Sequence, residues 1–244
     1  MVIQEQKTNN LLVFDKQFKQ VVAFDGRKVD DPSKTFFRQP HFSFEGEKMI
    51  WFGGKTCVYI VDLTDLSIFL IDNLIPDEED NPPEPLFTIA DLKREKILTV
   101  FLFENENTLV YYEKDREPDL HLLSEIFPEY NEISCLDLGK NKIFGFLAGR
   151  KFKRDKVSGR QLKIPSITGF SFNKELKIAA DFEFPITKCN KIGCVRVSPN
   201  HEDILYIASD GPLFVLGFSA KEKRFHILKA IDFKNDGNLN FLTN

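Results

Sequence analysis

The sequence predicts an all-β fold made of a repeated unit of four short antiparallel strands. Runs of β-branched and aromatic residues are separated by turn residues every eight to twelve positions or so. The unit recurs at near-constant spacing. Amphipathic helical periodicity is nearly absent, and Pro and Gly punctuate the turns. The clearest copy has strands at 41–44, 49–52, 57–61 and 67–71, with turns at 45–48, 53–55 and 62–65.

Taken in order, residues 1–10 are polar and predict a frayed end. Residues 11–14 and 21–24 form a hairpin-like pair that looks like the second half of the unit, and 26–40 are a polar connection. The first full unit follows, then an acidic Pro-rich loop at 76–85. The second unit has strands at 86–89, 97–103, 108–112 and 120–123. The third has 133–136, 143–147, 166–172 and 176–184. The fourth has 194–197, 204–208, 213–218 and 224–231. Residues 238–242 read as the first strand of another unit.

Met49, Ile97, Ile143 and Ile204 open the second strand of each unit, at spacings of 48, 46 and 61. The third unit carries 14 extra residues at 150–163, without which its spacing is 47. Periods of 46–48 match those of propeller blades. Phe44-Glu45-Gly46 and Val197-Ser198-Pro199-Asn200 stand at first turns, and Val58-Tyr59-Ile60-Val61-Asp62-Leu63 ends a third strand. On these residues the chain resembles the WD40-type β-propellers, whose turn is often Ser-Pro-Asp-Gly and whose strand ends in Trp-Asp. Val61 and Asp62 occupy the Trp and Asp positions. No Gly-His opens a unit and no Trp-Asp occurs, so the wider WD40-like superfamily is the apt name.

The resemblance covers about residues 11–240 and implies a β-propeller of four-stranded antiparallel blades, four full ones and a half. The expected boundaries are 11–244 for the single propeller, with blades at 41–75, 86–124, 131–184 and 192–233. A half blade falls at 11–25. Against the usual seven blades this is an incomplete ring. A piece of a longer propeller is expected rather than an open array with exposed strand edges.

Hydrophobic content of 42% is enough for a buried core, and 25 phenylalanines fit aromatic β packing. A formal net charge of -4 excludes a generally basic nucleic-acid binder, so DNA is not expected as a partner. Four scattered cysteines, Cys57, Cys135, Cys189 and Cys194, and no Asn-x-Ser/Thr sequon fit an intracellular protein, cytoplasmic or nuclear. No signal-type segment or membrane span is read.

Motifs for chemistry are weak. Gly53-Gly54-Lys55-Thr56 has methionine at 49, where a phosphate-binding loop needs glycine, and a strand follows where that loop needs a helix. It reads as a turn. Cys189 and Cys194, with four residues between them, have no further convergent ligands, so no metal is expected. Cys194 should point into a blade, with Cys189 in the loop before it. Histidines 41, 121, 201 and 226 are dispersed. Gly169-Phe170-Ser171-Phe172-Asn173 lacks the second glycine of a nucleophile elbow. The carboxylates fall in turns and name no acid–base pair.

Two charged loops stand out. Residues 76–85 hold five acids and no base, whereas 150–163 hold seven bases and one acid. Alternating strand direction should bring both to one propeller face, with 26–40 and 124–130. Long loops on a rigid scaffold are where binding resides. The expected electrostatic site is therefore Arg150, Lys151, Lys153, Arg154, Lys156, Arg160 and Lys163. The reading is a non-catalytic scaffold for protein–protein interactions in a multiprotein complex, without cofactor, with acidic proteins among its partners. RNA association in a ribonucleoprotein is the alternative. A metal-dependent propeller hydrolase or lactonase is the competing enzyme class.

Overall fold

A computed structural model of the chain describes the strand backbones within residues 2–71 and residues 84–232, apart from 92, 104–105, 156–157, 199 and 202; side chains are described from Leu86 onward, Phe103 excepted. The expected connection at 26–40, residues 76–83 of the acidic loop expected at 76–85, the strand at 238–242 and Lys156 lie outside the described residues, and Glu84 and Pro85 of that loop are strand.

The described strands fall into one three-stranded and four four-stranded sheets, and each of their pairings whose register is described is antiparallel. The chain divides into two compact units: Met1–Leu86 with Ala90–Pro118, and Phe87–Ile89 with Asp119–Asn244.

The first unit opens with β1 (Val2–Gln4), β2 (Leu11–Phe14) and β3 (Gln20–Phe24). Residues 2–4 were expected to fray, but Val2 pairs with Val13 and Gln4 with Leu11, because the short apolar Val2-Ile3 run finds a strand edge. The next sheet runs β4 (Ser43–Glu45), β5 (Lys48–Gly53), β6 (Cys57–Asp62) and β7 (Ile68–Ile71) in sequence order. Strand β6 follows Gly53 directly in the ladder, Gly53 pairing with Cys57, so a strand and not a helix follows the Gly-Gly-Lys-Thr sequence.

A third sheet is ordered β11 (Asp119–Leu122), β10 (Glu106–Glu113), β9 (Lys96–Phe103) and β8 (Glu84–Asp91). Continuous apolar runs place Ile97 to Phe101 of β9 fully inside, as such runs do when both faces of a strand are covered. The sequence extends the fourth strand to Leu123. Instead Leu123 opens a short helix, α1 (Leu123–Ile126), closed by the Phe127 N–H donating to the Leu123 carbonyl at 2.7 Å. Leu123 and Phe127, four apart and so one helical turn from each other on a single face, both turn inward.

The second unit holds two stacked sheets. One contains β12 (Tyr130–Leu138), β13 (Phe144–Arg154), β14 (Gln161–Ser171) and β15 (Ile178–Glu183). The other contains β16 (Ile192–Val197), β17 (Ile204–Ser209), β18 (Leu213–Ser219) and β19 (Arg224–Ile231). Between them lies an aromatic core. Phe146 meets Phe218 edge-on at 5.2 Å, and Phe184 meets Phe214 at 4.9 Å. After β16, Ser198 Oγ accepts the N–H of Asn200 and His201, each at 3.3 Å.

Asp137 pins the two sheets together. Its Oδ1 accepts the Leu138 N–H at 2.9 Å, and its Oδ2 accepts the Val197 N–H of β16 at 2.7 Å. Burial nonetheless pushes its carboxyl above the ordinary aspartate value. Asp137→Ala should cost about 2–3 kcal/mol, since the Val197 N–H loses a charged acceptor. The native carboxyl holds its proton more tightly than an unfolded aspartate. Its stabilising contribution is therefore greatest below 3.8 and falls as pH climbs through the raised native value. Urea titrations across that window should show wild type losing stability relative to Asp137→Asn as pH rises. The opposite slope rejects the assignment.

Candidate functional site

The extra residues at 150–163 were expected as a solvated loop. They are mostly strand. Residues Arg150 to Arg154 pair with Pro165 to Gln161 in register, so β13 and β14 form a long hairpin that leaves only 155–160 to connect its strands. Lysine and arginine are poor indicators of a strand, but a two-stranded ribbon needs only a partner in register. In the turn the Asp155 N–H donates to the Arg160 carbonyl at 2.8 Å, and Gly159 takes a φ of 68°, the left-handed conformation suited to glycine. The Ser158 N–H and hydroxyl both donate to Asp155 Oδ2.

Beyond Phe152, whose N–H bonds the Glu129 carbonyl, and Pro165, whose carbonyl takes the Phe184 N–H, the ribbon's strands pair only with each other among the described residues. The hairpin projects past its own sheet.

The expected basic site is thus divided. Arg150 binds Glu132 through Nε at 2.8 Å. Lys151, with only 7% of its side chain exposed, binds Glu129 at 3.1 Å and also Asp181. Lys153 binds both oxygens of Glu183 at 3.0 Å, and that hydrogen bond holds its ammonium above the ordinary lysine value. Arg154 donates to the Gly159 carbonyl at 3.2 Å, and Lys163 lies 5.6 Å above the Phe152 ring. Among the described residues no carboxylate pairs with Arg154, Arg160 or Lys163. Among the described residues the structure thus brings Arg150, Lys151 and Lys153 onto acids and leaves Arg154, Arg160 and Lys163 without an ion-paired one.

Around Lys151 is a polar chain that the sequence did not disclose. Thr168 donates its hydroxyl proton to Asp181 Oδ1 at 2.5 Å, so the Tyr130 hydroxyl, 3.0 Å from Thr168 Oγ1, is the donor there. Burial pushes the Tyr130 phenol well above its ordinary value, so it keeps that proton. The Lys151 ammonium sits 5.0 Å from the Tyr130 ring centroid. These groups, with Phe127, Pro128 and Ile178, line an open cavity of about 220 Å³. Register explains the meeting: Tyr130 faces Lys151 across β12–β13, and Thr168 faces Asp181 across β14–β15. The one sequence signal was Lys151 itself, within a run that otherwise reads as solvent-facing.

Cys189 was expected in a loop with Cys194 packed inward. Cys189 is in the stretch before β16, yet with Cys135 it is a buried thiol of the aromatic core, while Cys194 is half-buried. A bulge between Ile192 and Cys194 turns the latter away from the core face. Burial pushes the Cys135 thiol up to about 12 and the Cys189 thiol up to about 11, so both are inert at neutral pH.

No protein-family model matches the chain, and no curated protein sequence matches it. Solved structures do. A Bacteroides uniformis protein carrying the provisional name 6-phosphogluconolactonase is 12% identical over 95% of this chain and 67% of its own, with a TM-score of 0.57. The β-propeller domain of Cps50 (Swd1) from Myceliophteria thermophila is 9% identical over 87% of this chain and 60% of its own, at 0.53. The Dos1 propeller is 10% identical over 92% of this chain and 53% of its own, at 0.52. This chain therefore spans between about half and two thirds of the length of those structures. At such identities the likeness is one of fold and carries no functional residue across. The fold is a WD40-like β-propeller fold of four-stranded antiparallel blades. Among the described residues no helix is long and apolar enough to cross a membrane.

Proposed function

We propose that the chain is a non-catalytic propeller scaffold for protein–protein interaction, and that the β13–β14 hairpin is its docking element. The observation that carries this is the projection of a rigid, basic ribbon beyond the sheet that supports it. Arg150 and Lys151 at the ribbon's base each have cross-strand partners on both sides, so the projecting part is presented with little conformational freedom to lose on binding. The Lys151–Asp181–Thr168–Tyr130 chain, buried except at Asp181, anchors that base. Salt bridges of this kind contribute little net stability, but they fix one geometry by penalising the alternatives.

The register supplies a clean test. Lys151 and Ile164 face each other, so residues 152–163 can be replaced by Asn-Gly, which closes a two-residue hairpin. The shortened chain should keep its far-ultraviolet circular dichroism and lose its partners in affinity capture with mass spectrometry. Recovery of the same partners by both chains would overturn the docking assignment. Parallel captures after nuclease treatment address the RNA reading, which Arg154, Arg160 and Lys163 favour by having no ion-paired carboxylate among the described residues: partners lost to nuclease alone would replace the protein reading with it.

A further inference from the structure

The two faces of the projecting ribbon differ in a way the basic run conceals. Cross-strand partners share a face, so Lys151 and Lys153 lie with Ile164 and Leu162, while Arg150, Phe152 and Arg154 lie with Pro165, Lys163 and Gln161. On the first face both lysines are neutralised by Glu129, Asp181 and Glu183. On the second, Arg150 is taken by Glu132, but farther out Arg154 and Lys163 meet no carboxylate among the described residues. Phe152 between them is 36% exposed. Arg160 follows in the turn, and the turn's Asp155 is engaged by Ser158.

We infer that this second face takes an extended acidic segment of a partner protein. Its carboxylates would sit on Arg154, Lys163 and Arg160, and an apolar side chain of the segment would cover Phe152. This deepens the scaffold reading and rests on it. Charge complementarity selects the occupant. Arg154 is already tethered to the Gly159 carbonyl and Lys163 to the Phe152 ring, so both cations are pre-positioned along the ribbon. A single-stranded nucleic acid fits less well. Its bases need a bare aromatic face, and Lys163 lies over that of Phe152.

The test is fluorescence anisotropy on the full chain with a labelled ten-residue probe peptide of glutamates around two central leucines. The same peptide with glutamine for glutamate and an oligouridylate of equal length serve as controls. The glutamate peptide should bind, weaken with salt, and lose roughly tenfold in affinity to the chain carrying both Arg154→Glu and Lys163→Glu. Lys153→Glu, on the opposite face, should leave it unchanged. All three positions are exposed, and circular dichroism checks that each variant folds. The inference is overturned if the glutamate peptide does not bind, or if its glutamine version binds as well. It is equally overturned if Lys153→Glu is as damaging as the double variant, or if oligouridylate binds more tightly through the same residues. Should captured partners still depend on the hairpin while the double variant retains them, the scaffold reading stands and the acidic-segment inference falls. Should partners persist without the hairpin, the docking reading itself fails.

Discussion

Phe146→Ala should lower the unfolding free energy by about 3–5 kcal/mol, the range for emptying a fully buried aromatic site. Phe146 is 1% exposed and sits on β13 where the second unit's two sheets meet, edge-on to Phe218 at 5.2 Å and to Phe225 at 6.2 Å. Its cross-strand partner on β14 is Gly169, whose missing side chain leaves room for the ring cluster; a Cβ there would stand 3.3 Å from both Phe218 and Phe225. Smaller neighbours cannot refill a void of this size, so transfer and cavity losses add. Urea unfolding followed by circular dichroism reads the change directly. Phe146→Leu should recover much of it, and a loss below about 1 kcal/mol for the alanine variant would show that the sheets are not held by this cluster.

Gly149→Ala should be nearly as damaging, for the opposite reason. A Cβ at 149 would lie 2.0 Å from the Glu132 carbonyl oxygen, a backbone atom that cannot rotate away. The close approach comes from the irregularity in β12, where Gly149 faces Ile133 and the next paired residue is Cys135, leaving Ser134 as the bulge. Accommodating the methyl means prising β12 from β13, at about 2–3 kcal/mol for such overpacking. The same shift would disturb the adjacent Arg150–Glu132 and Lys151–Glu129 pairs and, with them, the base of the hairpin. Gly193→Ala is the matched control: the nearest atom to its Cβ is the Ala208 carbonyl oxygen at 3.9 Å, so its unfolding midpoint should stay close to wild type. Equal losses at both positions would mean that glycine's backbone freedom, not the clash, is being measured.

Much of the architecture is legible in the chain because β structure imposes local patterns. Turn residues bound each apolar run, and the run openings at Met49, Ile97, Ile143 and Ile204 recur at the period of one four-stranded sheet. The short helix α1 escaped because one helical turn has too few positions to show periodicity. The basic stretch was misread as a loop because its residues carry no strand preference. What makes it strand is the eleven-residue register between β13 and β14.

The site divides along the same line. Composition alone located the seven bases between 150 and 163, since charge is a property of the residues present. Only the tertiary structure decided which of the described bases remain without an acidic partner. A strand sends successive side chains to opposite faces, and Glu129, Glu132, Asp181 and Glu183 arrive beside β13 from segments up to 30 residues away. Neutralisation depends on that convergence at distances of a few ångströms, and the linear order of residues does not encode which carboxylates converge until the register of β12 through β15 is set.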